Sequence, residues 1–180
     1  MNWIDRKIDN WIKRIRDDPT IKKIPIGGDT NPTYWRWFVF PRNPLFNVYL
    51  HNFLKDDEED LHDHRMMNVS IVLQGGYREE YYIEKPREGE PLPPTNYRKV
   101  RRLIPRIRFP STPHRVILYR NDQGRAMSCW SLFVGGPHWR DWGFWCPGNG
   151  RTRWVPWQEY IGEVSPTDPR YGTVGKGCGE

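Results

Sequence analysis

The side chains best suited to chemistry gather in one short string. Leu61-His62-Asp63-His64 is followed by Asn68 and then by Gly75-Gly76, so two of the five histidines lie one residue apart. On an extended strand, residues i and i+2 project from the same face. His62 and His64 would therefore aim two imidazoles at one point. Neutral imidazole is a common ligand for Zn, Fe, Cu and Ni. His114, which opens a later apolar run with Val116 and Leu118 on its own face, is the candidate third ligand. Three histidines leave coordination positions open for water, substrate or dioxygen, as a catalytic metal requires. The competing reading is that His62 and His64 merely extend the polar loop at 56–63. A lone His-x-His pair is a weak signal, but Gly75 and the Pro113-His114-Arg115-Val116 start favour the metal.

Other groups could assist. Tyr77, Glu79 and Tyr81 alternate after the Gly-Gly turn. If that face is inward, Glu79 is a candidate general base and Tyr77 a proton donor. Glu80, on the opposite face, reads as solvated. Asp63 has the opposite parity to the histidines and reads as pointing outward. Arg98, Lys99, Arg101, Arg102, Arg106 and Arg108 form the densest basic segment. At a barrel mouth, Arg106 and Arg108 would clamp a carboxylate or phosphate; outside it they are a solvated face. Asn68 shares the parity of the histidines and is a candidate substrate contact, as is Trp142. Trp139, Trp142, Phe144, Trp145, Trp154 and Trp157, with arginines between them, either stack nucleic-acid bases or cap the core; the cap is favoured. His51 and His138 read as ordinary polar residues.

These groups need a scaffold. Residues 3–18 carry Ile4, Ile8, Trp11, Ile12 and Ile15 at helical spacing, and Pro19 ends the run. Residues 21–33 read as a Pro/Gly-rich connector. Strands are expected at 34–40, 46–53, 66–73, 77–84, 100–109, 114–119 and 126–134, with turns between them. A short helix is expected within 154–161, then a loose Gly-rich tail. A helix followed by many short strands predicts an all-β sandwich or small barrel.

Composition agrees. Seventeen prolines and sixteen glycines argue against a helical bundle, and ten tryptophans, nine tyrosines and seven phenylalanines supply bulk for a core. The net charge of +6 suits solubility or an anionic partner. No apolar run approaches the ~18 residues of a membrane span. Cys129, Cys146 and Cys178 are odd in number and lack a CxxC pair, which predicts reduced thiols in a cytoplasmic protein. Phosphate-binding loops, GxGxxG, HExxH and Gly-x-Ser-x-Gly elbows are missing, which removes nucleotide hydrolases, Rossmann dehydrogenases, zincins and α/β-hydrolases.

The string and its spacing resemble the cupin superfamily of jelly-roll β-barrels. His62 and His64 match its His-x-His, and Gly75 its later glycine, with Asn68 where cupins usually carry Glu. Pro110 and His114 approximate the second motif, one residue short, with Thr112 in place of its glycine. The string Trp142-Gly143-Phe144-Trp145 is also similar to uncharacterised cupin-like proteins. The resemblance covers residues 34–135 and implies a cupin barrel, with residues 1–33 as a helix and connector packed on it and 136–180 as an aromatic extension and flexible tail. It implies a three-histidine divalent metal, Fe(II) first, with Mn, Ni or Zn as alternatives. It further implies an oxidoreductase of dioxygenase type acting on a small polar or anionic substrate, and a homodimer. A cupin decarboxylase or isomerase, or a non-catalytic module associated with nucleic acid, are the alternatives.

Overall fold

Helix α1, Trp3–Asp17, begins where the Asn2 side chain accepts a hydrogen bond from the Asp5 N–H at 2.8 Å. Its apolar stripe (Ile8, Trp11, Ile12, Ile15) packs on Trp37, Leu50 and Leu73. Arg102 holds the helix through Asp5 at 2.6 Å, and Gln74 donates to Asp9. The computed structural model describes residues 2–57, 60–162 and 177–179, so most of the tail lies outside the described residues.

The strands are β1 Lys23–Ile26, β2 Tyr34–Phe38, β3 Asn47–Phe53, β4 Leu61–His62, β5 Asn68–Gln74 and β6 Tyr77–Tyr82. They continue with β7 Thr95–Lys99, β8 Arg106–Arg108, β9 His114–Leu118, β10 Cys129–Gly135, β11 Gly143–Gly148 and β12 Arg151–Pro156, before the short helix α2, Trp157–Ile161. They form two six-stranded antiparallel sheets, ordered β1-β2-β3-β10-β5-β8 and β12-β11-β4-β9-β6-β7. This is a jelly-roll barrel. No helix among the described residues is long and apolar enough to cross a membrane.

Period-two alternation sorts the side chains. On β3, Phe53 enters the barrel while Leu50 faces α1. On β5, Asn68, Ser70 and Val72 are buried on the inner face. Phe53, Val72, Tyr77, Val116, Leu118 and Cys129 pack into an apolar floor. Each such aliphatic or aromatic burial contributes about 1.5–3 kcal/mol. Gly75 turns β5 into β6 at φ +69°, and a Cβ there would strike the Ser128 carbonyl oxygen.

Several expectations need correction. The connector at 21–33 contains β1, an edge strand in which Pro25 is tolerated, and Lys23 lies 3.9 Å over the Trp35 ring. The strand expected at 100–109 shrinks to β8, and the unassigned residues just before it form β7, in the other sheet. Val100 is drawn into the floor, Leu103 adopts φ +60°, and Pro105 has no N–H to continue a ladder. The aromatic extension is itself a hairpin, β11–β12, built on Asn149 and Gly150 at φ +48° and +75°. Asn-Gly is a strong signal for a two-residue hairpin turn, and here it stands between strands whose alternation is masked. The cysteines are also not all free thiols. Cys146 and Cys178 form a disulfide across a Cα separation of 5.2 Å, and Cys129 alone is free, buried in the floor. A sequence separation of 32 residues gives no local sign of that pairing.

Asp63 is fully buried rather than outward in solvent. It accepts from the Gly143 N–H at 3.0 Å, Trp154 Nε1 at 3.1 Å, Trp145 Nε1 at 3.3 Å and Arg140 at 2.7 Å. One carboxylate therefore pins the aromatic hairpin to the histidine string. Asp63→Ala is expected to cost about 2–4 kcal/mol, because it leaves the Gly143, Trp145 and Trp154 N–H donors without their acceptor. Thermal unfolding watched by tryptophan fluorescence would measure it, and a loss below about 1 kcal/mol would contradict this role.

Candidate metal centre

The three histidines converge. His62 on β4 pairs directly with His114 on β9. His64 lies beyond the end of β4, where its N–H donates to the Pro110 carbonyl at 3.0 Å. The two imidazoles are thus brought together by a strand end and a turn rather than by one regular strand. Ring centroids are 5.3 Å apart for His62–His64, 5.1 Å for His62–His114 and 5.0 Å for His64–His114. One nitrogen from each ring lies within 4.8 Å of the others. His64 Nε2 and His114 Nε2 face each other at 2.7 Å. Two histidine nitrogens on one metal sit about 3 Å apart, so only a small opening separates this arrangement from a ligand set. The donor chemistry fits a divalent transition metal.

Burial and nearby charges keep His64 and His114 neutral. Burial, then the neighbouring His114 and His62, hold the His64 imidazole well below its ordinary value. Burial and the Arg108 charge push His114 down to about 3. Both bind protons more readily unfolded than folded. Their contribution is therefore complete above an imidazole value of 6.5 and is lost as pH falls from there towards about 3. Metal-free protein is expected to lose thermal stability steeply between pH 6.5 and 4, and His64→Gln to flatten that slope. Thermal midpoints measured across that range test this, and identical slopes would overturn it.

Glu79 is inward, fully buried and crowded. Arg108 Nε donates to Oε1, Arg98 Nε to Oε2 at 2.7 Å, and Arg106 Nε lies 3.4 Å from Oε2. His114 Nδ1 is 2.9 Å from Oε1, an approach whose alignment falls short of a full hydrogen bond. Burial would raise the carboxyl, but His114 and Arg108 outweigh it and hold it far below the usual range. Since His114 is itself neutral, the arginine carries that effect. A carboxylate so engaged orients His114 and balances arginines; it does not suit taking a proton from substrate, the role expected of a base.

Tyr77 is not brought to the histidines. It pairs with Leu118, while Tyr81 pairs with His114, which places Tyr77 about 13 Å down the strand. Its hydroxyl contacts Ser70 at 3.4 Å and accepts from Arg108 at 3.2 Å. Arg108 is buried and also donates to Ser70 at 2.6 Å, so it is inside but occupied. Arg106 is half-buried at the rim beside Arg98. With Arg98 turned inward and Arg102 on α1, the basic segment is split and makes no continuous basic strip. Glu80 is buried too, accepting from Thr95 at 2.7 Å and Arg115 at 2.6 Å. Asn68 is buried on the inner face with Oδ1 unpartnered.

Aromatic rings wall the centre. Trp142 stands edge-on 5.9 Å from His62 and stacks on Trp157 at 5.7 Å. Phe144 lies 5.8 Å from His62, and Phe133 lies 6.2 Å from His64. Sequence reasoning missed Phe133, since an aromatic in an apolar strand has no distinctive signal. It also gave Asp63 no firm role. A cleft of about 700 Å³ lies elsewhere, on the outer face near Arg78, Tyr97, Lys99 and Ile117.

No family model matches the sequence, and no curated protein matches it. Among solved structures, the chain is similar to hydroxypropylphosphonic acid epoxidase from S. wedmorenis, at 12% identity over 64% of this chain and 55% of that one, with a TM-score of 0.46. It is similar to a cupin 2 conserved barrel domain protein from Rhodopseudomonas palustris, at 12% identity over 68% and 76%, with a TM-score of 0.45. It is also similar to Streptomyces albus HEPD, solved with 2-hydroxyethylphosphonate and Fe(II) bound, at 10% identity over 66% and 24%, with a TM-score of 0.49. The chain spans little more than half the length of the epoxidase. The two facing antiparallel sheets, with histidines of β4 and β9 turned inward, make this fold a cupin-type jelly-roll barrel carrying an N-terminal helix and a C-terminal aromatic hairpin.

Proposed function

We propose that this chain is a metal-dependent enzyme of cupin type that acts on a small polar or anionic substrate. The observation that carries the reading is the convergence of His62, His64 and His114 on one point. These residues would hold a divalent metal, Fe(II) first and Mn, Ni or Zn as alternatives. Bound there, the metal supplies Lewis acidity or dioxygen activation. The chain's own residues do the rest. Glu79, facing His114 Nδ1, keeps the opposite nitrogen, Nε2, turned to the centre. Trp142, Phe133 and Phe144 exclude water beside the rings. Asn68 offers an amide where a carboxylate would add negative charge. Oxygenation is the first choice of reaction, with decarboxylation or isomerisation second.

Anaerobically purified protein should carry stoichiometric metal, read by elemental analysis. Oxygen uptake with a panel of small carboxylates, thiols and amines then separates oxygenation from the other reactions. Full-length, folded protein that takes up none of these metals on reconstitution would sink the proposal.

A further inference from the structure

Arg36 occupies an unusual place. On β2, Trp35 and Trp37 turn to α1, which leaves Tyr34, Arg36 and Phe38 on the barrel side, opposite Phe53, His51 and Tyr49 of β3. A guanidinium is thus set on the inner face, partly buried. Its Nε donates to His51 Nε2 at 3.0 Å and its Nη2 to the Tyr34 hydroxyl at 2.9 Å. It lies 4.6 Å over the Tyr49 ring. His51 is buried and held neutral, by burial first and then by Arg36 itself. Among the described residues, no carboxylate lies within ion-pair distance of Arg36, and Nη1 has no hydrogen-bond partner. The other inward arginines, Arg98, Arg106 and Arg108, share Glu79. Partly burying a charge among neutral partners is costly unless an anion completes the site.

A chain of packed aromatic rings links Arg36 to the histidines. The His51 ring lies 5.4 Å from Phe133, and Phe133 lies 6.2 Å from His64. Tyr49 stacks on both His51 and Phe133, at 5.9 and 6.1 Å. A single unpaired charge with a planar fork matches a carboxylate better than a doubly charged phosphate. Flat aromatic walls match an apolar or aromatic body.

We propose that Arg36, positioned by His51 and Tyr34, anchors the carboxylate of a small aromatic or apolar carboxylic acid whose other end reaches the three histidines. This rests on the metal reading for the reactive end only. The site for the carboxylate is Arg36 itself.

The test is titration of the full-length protein with benzoate, methylphosphonate and inorganic phosphate, followed by calorimetry and by the Arg36 Nε–H resonance. Benzoate should bind tightest of the three and move that resonance and the His51 ring signals. Arg36→Gln should weaken benzoate at least tenfold. Arg36→Lys, which keeps the charge without the fork, should fall between, and it serves as the second variant if the glutamine form does not fold. The wild-type resonance needs no variant at all. Equal benzoate affinity in wild type and the folded variants overturns the proposal, as does tighter binding of phosphate or methylphosphonate. Running the titration with and without added Fe(II) separates the two readings. Benzoate bound at Arg36 in protein that takes no metal upholds this site and sinks the metal centre. Metal bound with no response at Arg36 does the reverse.

Discussion

His114→Ala is expected to abolish stoichiometric metal binding and to destabilise the protein even without metal. His114 is almost wholly buried and takes part in two arrangements at once, the ligand set through Nε2 and the Glu79 cluster through Nδ1. Removing it leaves two histidines, too few to fix a coordination sphere, and a void beside a buried carboxylate. Truncation of a buried ring costs about 3–5 kcal/mol. His62→Ala provides the contrast. His62 is partly exposed at the edge of the site, so the metal should be lost with a smaller cost to the fold. Elemental analysis and urea unfolding of the two variants side by side distinguish ligand loss from unfolding. Retention of stoichiometric metal in folded His114→Ala would remove this residue from the site.

The second large effect belongs to Glu79. Glu79→Ala leaves Arg108 buried without its counter-charge and brings Arg98 and Arg106 together with nothing between them. Breaking a buried pair from one side costs about 3–5 kcal/mol, far more than the pair contributes relative to an apolar replacement. The double variant Glu79→Leu/Arg108→Met should therefore be more stable than Glu79→Ala, a sign that simple cavity formation would not produce. Glu79→Gln retains the shape and is expected to weaken metal by about 10–100-fold, since His114 loses its charged orienting partner. Chelator competition measures that change, and an unaltered affinity would show that Glu79 acts on stability alone.

Much of this was legible in the sequence. The convergence of three histidines could be found because histidine is a rare residue type and two lie at short spacing, and the inner face of β5 because strand alternation is strict. The groups that escaped notice share a physical cause. Asp63, Glu80 and Cys146 take their meaning from partners distant in the chain, and no local pattern encodes a partner. The parity rule for His62 and His64 reached the right convergence by a partly wrong route, because β4 stops at His62 and a turn carries His64. Arg108 was legible as basic but not as buried, since only the cross-sheet approach of Glu79 makes a buried guanidinium tolerable. The aromatic hairpin was obscured by its composition, in which glycine, proline and tryptophan mask alternation.

The pairing of β11 with β4 bears on the order in which the site can be made. His62 sits in a two-residue strand flanked by β9 on one side and β11 on the other. Both flanking strands, and the Trp142 and Phe144 walls, leave the ribosome after His62 does. During synthesis, the first of the three histidines to emerge is the last to be immobilised, because it waits for β11. The proposed ligand set is thereby coupled to β11: a product truncated between β9 and β11 would carry all three histidines but lack a strand that holds one of them in place.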